Sequence, residues 1–219
     1  PRSTSSAASD VYKRQAALLL AMGIHGESKK PNIVLILIDD LGLTDLQAFG
    51  GEIDTPNMDA LANEGMMFTN YHTTSECAPS RAMLLTGMDN HNTGLPMIPE
   101  VLPWKYHDTP GYEGYLRDDA LTIAEMLKPA GYKTYMTGKW HLAFGGRETA
   151  ALPHNRGFDK TFILDATGGN NFNHHSYLPY YSESPWFKNG QKTELPEDFY
   201  SSEFFVDQMI EFIDEDITN

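Results

Sequence analysis

Apolar residues run unbroken from position 33 to 38, as Ile-Val-Leu-Ile-Leu-Ile, and stop at Asp39-Asp40-Leu41-Gly42. A β-branched run without polar alternation predicts a central strand covered on both faces, as in a parallel α/β sheet. Residues 55–65 follow, with Thr55 at an N-cap position, Pro56 in the first turn and Gly65 as the exit, which predicts a helix. Residues 66–71 alternate enough for a second strand. Residues 77–87 read as a second helix, with Pro79 suited to the first turn, Ala82 to Leu85 as good helix formers and Gly87 as a stop. This strand–helix–strand–helix order predicts an α/β fold with a mostly parallel central sheet, right-handed crossovers and flanking helices.

Further along, residues 91–115 are rich in Pro, Gly and aromatic residues and predict a long surface loop. Residues 121–130 resume a helix that Pro129 slows and Gly131 ends, and residues 132–137 read as the next strand. A turn at 156–159, a strand at 161–164 and a loop over 168–181 come after it. Phe205, Met209, Phe212 and Ile213, following Ser201-Ser202, mark an amphipathic helix with an apolar stripe for the core. At the start of the chain, residues 1–15 are Ser/Ala-rich and polar. Lys13-Arg14 ahead of the apolar stretch 16–24 resembles the basic and apolar regions of a secretory signal, which implies export to a periplasm or beyond. Residues 1–30 are therefore expected to be a leader or its remnant, and residues 31–219 the folded part.

The chain has 219 residues, 41% of them hydrophobic, enough for one sizeable core. Its net charge of −14 argues against a nucleic-acid partner, because binding phosphate backbones needs a basic surface. That balance says little about a small anion, which feels the field of its own pocket. A single cysteine excludes a disulfide framework and a cysteine-based zinc site. No apolar run approaches the ~20 residues that span a bilayer.

That cysteine, Cys77, is placed where a helix begins, and unpaired N–H groups there favour negative charge. Arg81 lies one turn on and on the same face. Asp39 and Asp40 at a predicted strand end would repel each other unless a cation neutralised them, and a divalent metal with oxygen ligands is the economical answer. Lys139 and His141 alternate along an extended segment, so both point to one side. Taken alone, each pattern also has a plain reading: a buried thiol, solvated loop acids, a solvated strand edge. Asn170, Asn171, Asn173, His174 and His175 form a polar cluster that reads either as a pocket lining or as a solvated loop.

Together the motifs are specific. Cys77-x-Pro79-Ser80-Arg81-x-x-x-Leu85-Thr86-Gly87 resembles, without a gap, the signature of type I sulfatases. Gly131-Tyr132-x-Thr134-x-x-x-Gly138-Lys139-x-His141 resembles that family's second signature, with Thr137 where a smaller or apolar residue is commoner. Residues 111–114 (Gly-Tyr-Glu-Gly) and 199–202 (Phe-Tyr-Ser-Ser) look most like the bacterial arylsulfatase branch. The resemblance implies the α/β fold of the alkaline phosphatase superfamily and hydrolysis of small-molecule or carbohydrate sulfate esters. It implies calcium, with magnesium as the alternative, held by Asp39, Asp40 and Cys77. It further implies that a maturation enzyme oxidises Cys77 to formylglycine, whose hydrated aldehyde attacks sulfur with one hydroxyl and expels sulfate through the other. Arg81 would hold the hydrate and the sulfate oxygens, Lys139 the sulfate and leaving-group oxygen, and His141 would assist the proton loss that frees sulfate.

Three readings compete. A phosphomonoester or phosphonate-ester hydrolase of the same superfamily shares the modified cysteine, an inert α/β fragment would keep the thiol, and a nucleotide-binding domain is disfavoured because no glycine-rich phosphate loop follows the first strand. The family's later histidine, its remaining metal ligands and a further lysine are expected beyond Asn219. Residues 1–219 alone are accordingly expected to bind calcium weakly and to turn over no sulfate ester, since two carboxylates do not supply the six to eight oxygens calcium takes. Turnover of an aryl sulfate by these residues, followed spectrophotometrically, would contradict that expectation.

Overall fold

The computed structural model describes residues 30–106 and 109–217; the expected leader, residues 1–30, lies outside them apart from Lys30. The chain divides into two compact units, Pro1–Asp39 and Asp40–Asn219. In the first, residues 31–38 form neither strand nor helix, and Ile33 to Ile38 are 41–81% exposed. The expected central strand is thus not formed. An apolar run marks where a strand can be buried, but a strand exists only where a neighbour supplies hydrogen-bond partners for its backbone. The same correction applies in the second unit to residues 66–71, an irregular segment with Met66, Phe68 and Tyr71 exposed.

The second unit is built on a four-stranded sheet in the order β1 (Tyr135–Lys139), β2 (Lys160–Leu164), β3 (Trp186–Lys188), β4 (Gln191–Lys192). β1 and β2 are parallel, with Lys139 beside Leu164, whereas β2–β3 and β3–β4 are antiparallel. The sheet is mixed, and its parallel part is the β1–β2 pair. Among the described residues four α-helices accompany it: α1 (Pro56–Glu64), α2 (Cys77–Thr86), α3 (Ile123–Leu127) and α4 (Ser201–Ile217). Thr55 precedes α1 as expected, but its hydroxyl accepts from the Gln47 amide at 3.1 Å and makes no helix cap. The cap that does form is at α3, where Thr122 and Glu125 complete a reciprocal box.

β2 has the two-sided burial anticipated for residues 33–38. Ile163 faces a core made with Ala78, Ala82 and Leu85 of α2, Leu116, Trp140 and Leu152. Phe162 and Leu164 face a second core with Trp186, Phe199 and Phe212 of α4. The period of two along one strand thus fastens α2 to one face and α4 to the other. On α4 the inward stripe runs through Phe204, Phe205, Gln208 and Phe212, while Ile213 is exposed; it keeps Phe205 and Phe212 of the expected stripe and turns slightly toward Phe204 and Gln208. Gln208 is taken inside because its Oε1 accepts from Lys188 Nζ at 3.1 Å.

Two side chains hold the connections. Arg156, 2% exposed, donates to the carbonyls of Leu116, Arg117 and Ala120 and pairs with Glu125 at 3.2 Å, closing the turn ahead of β2. Asp159 accepts from the Thr134 amide at 3.0 Å and pairs with Lys128 at 2.7 Å, locking the entries of β1 and β2 together. Burial works to raise the Asp159 carboxyl, but the Lys128 hydrogen bond and the Thr134 donors outweigh it and hold it below its usual range. A depressed carboxyl contributes stability above its unfolded pKa of about 3.9 and loses it as pH falls through the folded value. Solvent screens this exposed pair, so Asp159→Asn should cost at most about 1 kcal/mol in urea denaturation at neutral pH, the gap to the parent closing as the titration enters strongly acid pH.

Candidate active site

Cys77 opens α2, preceded by Glu76 in an extended conformation (φ −132°, ψ 150°). Glu76 spends its carboxylate on the amide of Ile98 at 2.6 Å and makes no side-chain cap. Ser80 donates instead to the Glu76 carbonyl at 2.8 Å and meets Thr74 at 2.7 Å, so the serine of the first motif steadies the approach to the helix. At the other end Gly87 takes the left-handed conformation (φ 69°) that a side chain disfavours, and its amide closes the helix on Met83.

The end of β1 delivers the second motif. Gly138 (φ 109°) turns the strand so that Lys139 Nζ reaches Cys77 Sγ at 3.3 Å and the Thr167 carbonyl at 2.6 Å. His141 Nδ1 is also 3.3 Å from Cys77 Sγ. Lys139 and His141 do share a side, but alternation alone is not the reason. His141 lies beyond the strand in the left-handed region (φ 63°), a strained position for a non-glycine residue. Asp165 holds it there: fully buried, it accepts from the amides of Leu142 (3.0 Å), Ala143 (3.1 Å) and Gly146 (2.6 Å). Burial pushes the Asp165 carboxyl up against those donors. Arg81 is 5% exposed and donates to the Lys139 carbonyl at 2.5 Å, clamping α2 to the end of β1.

Behind His141 stands a residue that no motif announced. Glu100 Oε2 lies 3.0 Å from His141 Nε2, with the two side chains 1% and 0% exposed. Its other oxygen accepts from the Thr167 amide at 3.1 Å and the Tyr181 hydroxyl at 2.8 Å. Glu100 falls in the 3₁₀ turn Pro99–Val101 of a loop that sequence reading assigned to the surface. The one available signal was a carboxylate in an aromatic, proline-rich stretch, which is too common to single out.

The electrostatics follow from this row. Burial works to raise the Cys77 thiol, but the hydrogen bond and charge of His141 and the charge of Lys139 bring it below its ordinary value. Burial works to lower His141, and its bonds to Cys77 and Glu100 raise it instead. Glu100, also opposed by burial, is held down by His141 and Tyr181. The Asn/His cluster stays apart from this row. His174 Nε2 accepts from the Leu195 amide (3.1 Å), Asn171 meets Ser201 (2.8 Å), and Asn170 and Asn173 brace their own loop.

With this geometry in view, comparison with known proteins is decisive. The sulfatase family model matches residues 31–219. This chain belongs to the sulfatase family. It is 41% identical over 205 residues to an uncharacterized sulfatase of Schizosaccharomyces pombe, covering 88% of this chain and 36% of that protein. It is 39% identical over 208 residues to the arylsulfatase of Klebsiella aerogenes, covering 90% of this chain and 42% of that enzyme. Among solved structures, Ps i-CgsB in complex with k-i-k-neocarrahexaose superimposes with a TM-score of 0.69 at 29% identity, over 87% of this chain and 43% of that one. The sulfatase chain thus spans about two fifths of the length of these relatives.

Asp39 and Asp40, read from sequence as metal ligands with Cys77, lie in a turn, Asp40 in the left-handed conformation (φ 56°). Among the described residues no three His, Cys, Asp or Glu side chains gather as a metal site requires. The carboxylates of Asp39 and Asp40 suit a hard cation such as calcium or magnesium in kind, but two carboxylates do not fill the six to eight oxygens that calcium takes.

Cys77 should behave as an activated thiol while it remains a cysteine. Iodoacetamide should alkylate it at a pH where free cysteine, pKa about 8.5, reacts slowly. In Lys139→Met, which removes a cation from the thiolate, the rate profile should move to higher pH. A profile unmoved by that substitution would show that the lysine does not act on the sulfur.

Proposed function

We propose that this sulfatase hydrolyses sulfate esters at Cys77 after its conversion to formylglycine, with Arg81, Lys139 and His141 as the residues around it. The observation that carries the reading is the convergence of Lys139 Nζ and His141 Nδ1 on one Cys77 atom, each at 3.3 Å. The sulfur stands in for the oxygen that formylglycine would carry. The hydrated aldehyde would supply both the nucleophilic hydroxyl and a second hydroxyl for releasing sulfate, an exit that a plain serine or cysteine ester lacks.

The chain's own residues do the rest. Lys139 brings positive charge to the sulfate and leaving-group oxygens, and the first amides of α2 face the same place. His141, with Nδ1 toward residue 77, exchanges the hydroxyl proton there. Arg81 fastens the helix to the strand so that these distances hold, and its guanidinium adds fixed charge beside the pocket. Calcium at Asp39 and Asp40 stays an expectation of the family, and no step here runs through it.

The substrate class proposed is an aryl or carbohydrate sulfate, in keeping with the arylsulfatase of Klebsiella aerogenes and the k-i-k-neocarrahexaose in the Ps i-CgsB complex. A formylglycine-generating enzyme is the implied partner, and a periplasmic or secreted location the implied place of action. No helix among the described residues is long and apolar enough to cross a membrane. The relatives' greater length leaves room for ligands and substrate contacts outside these 219 residues, which is why residues 1–219 alone are proposed to be inactive.

Two measurements test the reading on protein expressed from its own gene in its native host. Peptide mass spectrometry should find Cys77 lighter by about 18 Da, as conversion of the thiol to an aldehyde requires. Hydrolysis of an aryl sulfate should exceed that of the matched phosphate ester and fall at least about 100-fold in Cys77→Ala and Lys139→Ala. An unmodified thiol would sink the formylglycine reading, and a phosphate preference would move the assignment to the phosphoesterase branch.

A further inference from the structure

We propose that Glu100 is a positioning residue that fixes the tautomer of His141 and, through residue 167, ties His141 and Lys139 into one unit. The geometry stands by itself; its catalytic meaning rests on the sulfatase reading above.

The carboxylate is spent completely. Oε2 takes His141 Nε2 at 3.0 Å, and Oε1 takes the Thr167 amide at 3.1 Å and the Tyr181 hydroxyl at 2.8 Å. An ionised carboxylate only accepts, so Nε2 must carry its proton in either charge state of the ring. In the neutral ring Nδ1 is then the bare nitrogen, and Nδ1 faces Cys77 Sγ. Residue 167 extends the arrangement: its amide is held by Glu100 while its carbonyl receives Lys139 Nζ at 2.6 Å. The loop that brings Glu100 into place is pinned at Ile98 by Glu76, the residue immediately before Cys77. Both groups that touch residue 77 are thus referenced to one buried carboxylate.

Glu100→Gln separates positioning from packing because it keeps shape and volume. The Thr167 amide can only donate, so the glutamine oxygen must stay on that side. The glutamine NH₂ then faces His141 Nε2 and forces it to accept. The ring flips to the Nδ1–H tautomer, and a donor points at residue 77 where the parent offers an acceptor. In a serine-hydrolase triad, a carboxylate-to-amide change of this kind lowers kcat by about 10⁴ with geometry intact.

The experiment is ¹H–¹⁵N NMR of histidine-labelled protein, with the His141 signals assigned by their loss in His141→Asn. The parent should show a proton on Nε2 from mildly acid to mildly alkaline pH, and Glu100→Gln should lose it. Tyr181→Phe should keep the Nε2 proton, since the Thr167 amide still orients the carboxylate; this variant also serves if Glu100→Gln does not fold. A bare Nε2 in the parent, a retained Nε2 proton in Glu100→Gln, or its loss in Tyr181→Phe would each overturn the proposal. In sulfate-ester turnover, Glu100→Gln should lower kcat by about 10²–10⁴ with KM little changed. A normal kcat beside the flipped tautomer would overturn the catalytic part. Turnover is read on protein expressed from its own gene in its native host, and correct tautomers in such a parent that hydrolyses no sulfate ester would sink the sulfatase reading alone.

Discussion

The unit that holds the site turns on a row of polar groups that runs from a half-buried thiol to a fully buried carboxylate. Cys77, His141 and Glu100 stand in line, and the last two side chains have almost no contact with solvent. Buried polar groups in a low-dielectric setting interact strongly when satisfied and are costly when they are not. Each member of the row accordingly has a partner: the thiol has an imidazole and an ammonium, the imidazole has a carboxylate, and the carboxylate has an amide and a phenol. The Tyr181 phenol is itself held protonated well beyond its usual range by burial and by the Glu100 charge it donates to.

The fold supplies this row from three separate places in the chain. α2 brings the sulfur, the end of β1 brings the amine and imidazole, and the 3₁₀ turn Pro99–Val101 brings the carboxylate. β2 sits beneath them with both faces buried, and Asp165 just past its end collects three amides from the turn after His141. The left-handed backbone at His141 is affordable because those amides over-determine it. A strained residue held by a buried acceptor is what a preorganised site demands, since groups that move during reaction lose their electrostatic advantage.

Much of this was legible in the sequence, and the divide has a physical cause. Elements whose stability is local were placed well: α1 between Thr55 and Gly65, α2 between Glu76 and Gly87, and α3 with its 3₁₀ extension ending at Gly131. Their capping residues and glycines act within one turn. Elements that depend on distant partners were placed unevenly: the strand expected at 161–164 forms as β2. Residues 33–38 and 66–71 have strand-like composition, yet neither forms a strand. On α4, the sequence could not foresee that Lys188 would draw Gln208 inward ahead of Ile213. In the site, Cys77, Lys139 and His141 were found because their motifs are short and specific. Glu100 was missed because its importance lies wholly in a contact 41 residues away in sequence.

The proposed reaction needs the start of α2 and the end of β1 to make one receptor for a tetrahedral oxyanion. Tungstate soaked into crystals of the protein and located by anomalous scattering tests it most directly. The strongest peak should lie within hydrogen-bond reach of Lys139 Nζ, beside the side chain of residue 77. A map with tungstate bound elsewhere and none at that position would contradict it.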